Sequence, residues 1–151
     1  MITRLFSVLV LCAICFALAD CASDPKEPQT PQDAQLEKLS ATWTVDDVSR
    51  DGIDQTGYEN FKLIISGTPG ADSFTYACSG RPNNSPWPAS GTWTFGMKVE
   101  QDLVRDPGGN IAINMSYTVT DSRLELTFDF TGGFPARTMD IPGRFVFRLK
   151  K

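Results

Sequence analysis

The side chains that most often carry catalysis are thinly spread in this chain. It has no His in 151 residues. That removes the Ser-His-Asp triad, the Cys-His dyad, His-ligated zinc and the usual general base near neutral pH. Three of its Cys, at 12, 15 and 21, lie near the N-terminus, and only Cys78 lies in the body. Cys78 alternates with Phe74 and Tyr76, so it is expected to point inward as an inert thiol. Asp46 and Asp47 are neighbours, which on a strand puts them on opposite faces, where they cannot act as a pair. Asp51, Asp54 and Glu59 match no EF-hand spacing and read as a solvated acidic loop rather than a Ca²⁺ site. No catalytic, metal or cofactor site is expected. The net charge of −4 also gives no basic stripe for nucleic acid.

Residue types suited to binding are better represented, and they sit in three links. The segment Ser79 to Ser90 carries Trp87 between Pro86 and Pro88, outside any strand pattern. A stiffened, exposed indole there would serve as a stacking platform for a sugar or an apolar ligand, with Arg81, Asn83 and Asn84 supplying hydrogen bonds. The other reading makes Trp87 a structural lid over a barrel mouth. The segment Thr131 to Pro142 offers Phe134 and Met139 as apolar tips, and Arg137 with Asp140 as a charge pair. The segment from Gly52 to Glu59 adds Tyr58.

The elements that must position these links are strands. From residue 41 onward the hydrophobic period is two. Leu124, Leu126, Phe128 and Phe130 alternate with Arg123, Glu125, Thr127 and Asp129. Phe145, Phe147 and Leu149 repeat the pattern, as do Ile111 through Val119, Phe61 to Ile65, Phe74 to Cys78, Trp93 with Phe95, Val99 to Leu103, and Trp43 with Val45. Eight strands joined by short turns, such as Asp106-Pro107-Gly108-Gly109-Asn110, are forced antiparallel. The expected fold is all-β: an eight-stranded antiparallel up-and-down barrel, with a two-sheet β-sandwich as the alternative. Trp43, Trp93, Phe128 and Phe145 are expected in its core. In an up-and-down order the links carrying Tyr58, Trp87 and Phe134 leave from one end. Pro31 to Leu39 is the one helical stretch; it either plugs an end of the barrel or continues the segment before it.

The N-terminus reads as an export signal over residues 1–20. Arg4 precedes a charge-free apolar run, Leu5 to Ala19, that suits the central region of a signal peptide. Ala17-Leu18-Ala19 permits a cut before Asp20. Residues 21–38 then form a polar, Pro-rich tether that buries too little to order itself, leaving 39–151 as the β-domain.

Several segments carry a resemblance. Leu18-Ala19-Asp20-Cys21 resembles a bacterial lipobox, with Asp20 where Gly, Ala or Ser is usual. Leu39-x-Ala41-x-Trp43 resembles the Leu-x-Gly-x-Trp of lipocalins, with Ala41 in place of Gly. With Ser85 to Phe95, Leu103-Val104-Arg105-Asp106 and Ile141 to Phe147, the chain from about residue 36 onward is similar to small lipocalin-like lipoproteins of Bacteroidetes-type bacteria. The resemblance implies a calycin-like barrel and a cell-envelope location, lipid-anchored through Cys21 at the outer membrane or cell surface. The alternative is a periplasmic or secreted protein. Two functions follow as expectations. The first is binding of a small apolar or sugar-like ligand at one barrel end, by Trp87, Phe134, Tyr58, Arg81, Asn83 and Arg137. The alternative is a non-catalytic structural or protein-interaction module whose barrel is packed solid. The expected partners are accordingly a small ligand or an envelope protein, and the membrane through the lipid.

Overall fold

The computed structural model of the chain describes residues 28–109, 112–132 and 141–151. A single helix, α1 (Pro31–Leu39), precedes nine strands. These are β1 (Ala41–Arg50), β2 (Ile53–Asp54), β3 (Lys62–Ser66), β4 (Phe74–Ser79), β5 (Ser90–Phe95), β6 (Asp102–Arg105), β7 (Ile113–Val119), β8 (Arg123–Phe130) and β9 (Gly143–Lys150). Every pairing is antiparallel between chain neighbours, except that β3 returns to β1 past the two-residue β2, and β9 also pairs with β1. The sheet therefore closes into an eight-stranded up-and-down barrel with one short extra strand. This is the barrel expected from the period-two pattern; the sandwich alternative falls because β1 bonds β3 on one side and β9 on the other.

Closure gives each inward side chain a position inside one cylinder. Trp43, Leu63, Phe74, Trp93, Leu126, Phe128, Phe145 and Phe147 are all buried. The outward alternates carry the charge. A bulge in β1 changes one detail of that pattern: Val45 lies opposite Leu149 and Asp47 opposite Arg148, so Asp46 is the extra residue. Asp46 and Asp47 consequently share the outer face instead of opposing one another. Asp46 binds Arg123 and Lys150, and Asp47 binds Arg148, which also reaches Glu125. β6 also begins later than the alternation of Val99 and Gln101 suggested, since both lie in the turn before it.

One end of the barrel is plugged. Thr30 caps α1 by accepting the Asp33 N–H, and Pro31 starts the helix where its missing N–H costs nothing. Leu36 and Leu39 are buried in the core. The Trp43 indole donates to the Leu39 carbonyl at 2.8 Å. The Lys151 ammonium lies 4.8 Å from the Trp43 ring centre on the same end. Residues 31–38, within the stretch expected as tether, therefore form the plug of the barrel, the first of the two roles open to Pro31–Leu39.

The opposite end carries the links 51–61 and 80–89, the turn 106–109 after β6, and the residues 131–132 and 141–142 that flank β8 and β9, as the alternating strand directions require. Asp51 and Gly52, with φ of 52° and 79°, make the two-residue turn between β1 and β2. Gly80, with φ of 63°, sits so close to Asn60 that a Cβ would fall 1.9 Å from its carbonyl oxygen. Only Gly permits that approach. It fixes the start of the 80–89 link against the 51–61 link.

Candidate functional site

The middle of the link 80–89 turns into the core at its end of the barrel. Ser85, Pro86 and Trp87 are buried, and Trp87 retains 3% of its surface. Its ring meets Tyr76 at 5.3 Å, Phe128 at 5.9 Å and Phe147 at 6.0 Å between centres, all edge-to-face. Trp87 is therefore not the exposed stacking platform that its place outside the strands suggested. An indole this large loses far more free energy in water than its link loses by bending inward. Tyr58 follows the same course. It is buried against Phe61 and Phe147, at 5.9 and 5.4 Å.

Beneath Trp87 lies the feature that composition alone did not single out. Arg105, the last residue of β6, points inward and is 1% exposed. Its guanidinium carbon stands 4.8 Å from the Trp87 ring centre and 5.7 Å from that of Phe128. Cation–π attraction is strongest where both groups are out of water, as here. Asp106 is its charge partner, with Oδ2 3.3 Å from Nε. Yet that carboxylate is already engaged: Oδ2 accepts the Tyr76 hydroxyl at 2.7 Å, and Oδ1 accepts the Thr92 N–H at 3.1 Å. Among the described residues, no protein acceptor meets hydrogen-bond geometry with Nε, Nη1 or Nη2 of Arg105, or with Nε1 of Trp87. All four are donors only.

Titration follows from the same burial. Burial pulls the Arg105 guanidinium down from its ordinary value, while Tyr76 and Asp106 push it back up. An arginine starts so high that it keeps its charge. Burial, reinforced by the bond to Asp106, raises Tyr76 well above the ordinary phenol. Cys78, half-buried beside this group, is pushed up to about 12 by burial, against the pull of Arg105 and Arg81. It is a protonated thiol, not a nucleophile.

A cavity of about 20 Å³ adjoins Arg105 and Trp87, walled by Leu63, Ile65, Tyr76, Trp93, Leu103, Met115 and Leu126. That volume takes one water-sized group. Of the other expected ligand-binding residues, those described do not line it. Arg81 is half-buried and Asn83 exposed on the link. Phe134, Arg137 and the expected lipid-bearing Cys21 lie outside the described residues. Trp43, Trp93, Phe128 and Phe145 are buried core. Asp51 accepts the backbone N–H of Arg144 and ties its turn to the start of β9, while Glu59 accepts the Gly57 N–H within its own loop. The described residues contain no cluster of three or more metal-ligating side chains.

Arg105 was legible by one step that composition hides. Leu103 points inward, and period two carries Arg105 to the same side. A charged residue at an inward register position is the rare case in a folded domain, and so the informative one. Comparison with known proteins finds no family model that matches the chain, and no curated protein or solved structure similar to it.

Proposed function

We propose that this protein is a non-catalytic binding module of the bacterial cell envelope. It is exported by residues 1–20, held by a lipid on Cys21, and takes a small ligand into its β-barrel near Arg105 and Trp87. One observation carries the reading: a buried cationic fork and a buried indole N–H, side by side, offer donors for which the protein supplies no acceptor. A buried donor left unmatched costs about 1–3 kcal/mol, and more when charged. Evolution tolerates that cost where a ligand brings the acceptor. The apolar run before Ala19 and the lipobox-like Leu18 to Cys21 support the location. The lipocalin-like resemblance of the barrel sequence supports the class of function.

The burial of Trp87 and Tyr58 supports a ligand inside the barrel rather than at an open mouth. Native mass spectrometry of the protein recovered from its own envelope tests the reading. It should show acyl chains on Cys21 and a second, non-covalent mass on the folded chain. A bare, unacylated polypeptide contradicts it.

A second reading is favoured by the small cavity. At about 20 Å³ the interior is filled almost throughout, as a structural or protein-interaction module would be. The two readings differ on Arg105. A scaffold has no use for buried, unmatched donors and should be indifferent or improved when they are removed, with nothing else lost.

A further inference from the structure

We infer that the ligand is a monocarboxylate with an apolar body, whose carboxylate takes the Nη1 and Nη2 donors of Arg105 and whose body takes the place of the Trp87 ring. This rests on the binding reading above and names the chemistry of that same site.

The head group follows from the donors. A guanidinium presents parallel N–H groups that match the two oxygens of a carboxylate. The Nη1 and Nη2 groups of Arg105 have no protein acceptor among the described residues, while Nε faces Asp106. With Asp106 already beside the guanidinium, the head group should bring no more than one further negative charge. A phosphate monoester would bring more charge to a site where Asp106 already stands 3.3 Å from the guanidinium. Its additional oxygens would also need donors beyond one guanidinium. A neutral sugar needs acceptors as well as donors, and this wall offers donors.

The body follows from the lining. Apart from Arg105 and the Tyr76 ring, the cavity wall is Leu63, Ile65, Leu103, Met115, Leu126 and two indoles. Such a wall accepts hydrocarbon and pairs nothing polar. The cavity holds one water-sized group, so a ligand body needs a wall to yield. The strand residues are held by ladder bonds on both sides. Trp87 belongs to a link, so it is the wall that can leave without breaking a strand pairing. Gly80, locked against Asn60, marks where that movement would begin. The charge on the arriving carboxylate replaces the ring face that Arg105 gives up.

The test uses octanoate and its uncharged counterpart 1-octanol as probes, read by tryptophan fluorescence and by calorimetry on the purified protein. Octanoate should bind and shift tryptophan emission to the red as Trp87 leaves the core. It should bind roughly ten- to a hundredfold tighter than 1-octanol, the discrimination of one charge-assisted pair. Arg105→Met should lose that preference while still binding 1-octanol, and Arg105→Lys should keep only part of it. Arg105→Met, apolar and unbranched, suits the site and should stay folded, which circular dichroism checks. Equal binding of the two probes by the native protein overturns the carboxylate assignment and leaves the binding reading standing. Binding of neither probe, or unchanged preference in Arg105→Met, overturns the assignment as well; the former, with no native ligand by mass spectrometry, overturns the binding reading too.

Discussion

The guanidinium of Arg105 lies 4.8 Å below the centre of the Trp87 ring, inside a closed barrel, and neither group finds a protein hydrogen-bond acceptor among the described residues. One comes from the end of β6 and the other from a link between β4 and β5. They meet because the link turns into the barrel at the end where β6 finishes. Packing of this kind is costly for a scaffold and useful for a receptor.

The cost should be measurable. Removing one partner of a buried ion pair destabilises when the other is left buried alone. Asp106, however, is 26% exposed and keeps its bonds from Tyr76 and Thr92. The main effect of removing Arg105 is therefore to relieve its unmatched donors, each costing about 1–3 kcal/mol. Arg105→Met gives up cation–π contacts with Trp87 and Phe128, which offsets part of the gain. On balance the variant should be about 1 kcal/mol more stable than the native chain in urea unfolding without ligand. A loss of stability would show that the guanidinium is fully matched in solution.

Trp87 should behave as core and not as surface. Trp87→Ala should cost about 3–5 kcal/mol in the same measurement, the range for deleting a large buried side chain. An exposed indole on a loop would move stability by no more than about 0.5 kcal/mol. A value near zero would place the ring outside the barrel.

The fold was legible in the sequence because alternation fixes which side of a strand faces the core, and short turns fix the order. Leu124 to Phe130 and Phe145 to Leu149 show this directly, and the shared end of the 51–61 and 80–89 links follows from strand direction alone. The candidate site was legible only in part. Trp87 sits between two prolines, with no periodicity to state whether it faces water, so tertiary burial decided what local pattern left open. The shared face of Asp46 and Asp47 was hidden because a single-residue bulge breaks the period-two count. Arg105 was obscured by its position at the end of a short strand, next to a turn rich in Gly.

The outer charge network should set part of the acid response. Hydrogen bonds from Lys150 and Arg123 hold the Asp46 carboxyl below its ordinary value of 3.8. The folded chain thus binds this proton less readily than the unfolded chain. Its contribution is fully present above the unfolded value and is lost as pH falls through the lower folded value. Asp46→Asn should flatten the fall of the urea midpoint below about pH 4. Added salt should mimic it by screening an exposed network. An unchanged slope in the variant would remove Asp46 from the acid response.

Cys78 should be chemically quiet while the protein is folded. With its thiol pushed up to about 12, the reactive thiolate is scarce near neutral pH. Alkylation by iodoacetamide at about pH 8, read on the Cys78 peptide by mass spectrometry, should run about a thousandfold slower than for a free thiol. Urea unfolding should restore the free rate. Equal rates in the folded and unfolded protein would contradict burial of the sulfur.

The most direct measurement is the side-chain nitrogen spectrum of Arg105 by NMR, assigned through its loss in Arg105→Met and followed as octanoate is added. Octanoate should shift the Arg105 Nη–H resonances and slow their exchange with water, while those of the surface residues Arg123 and Arg148 stay in place. Arg105 resonances unmoved at saturating octanoate would contradict a ligand held by this arginine.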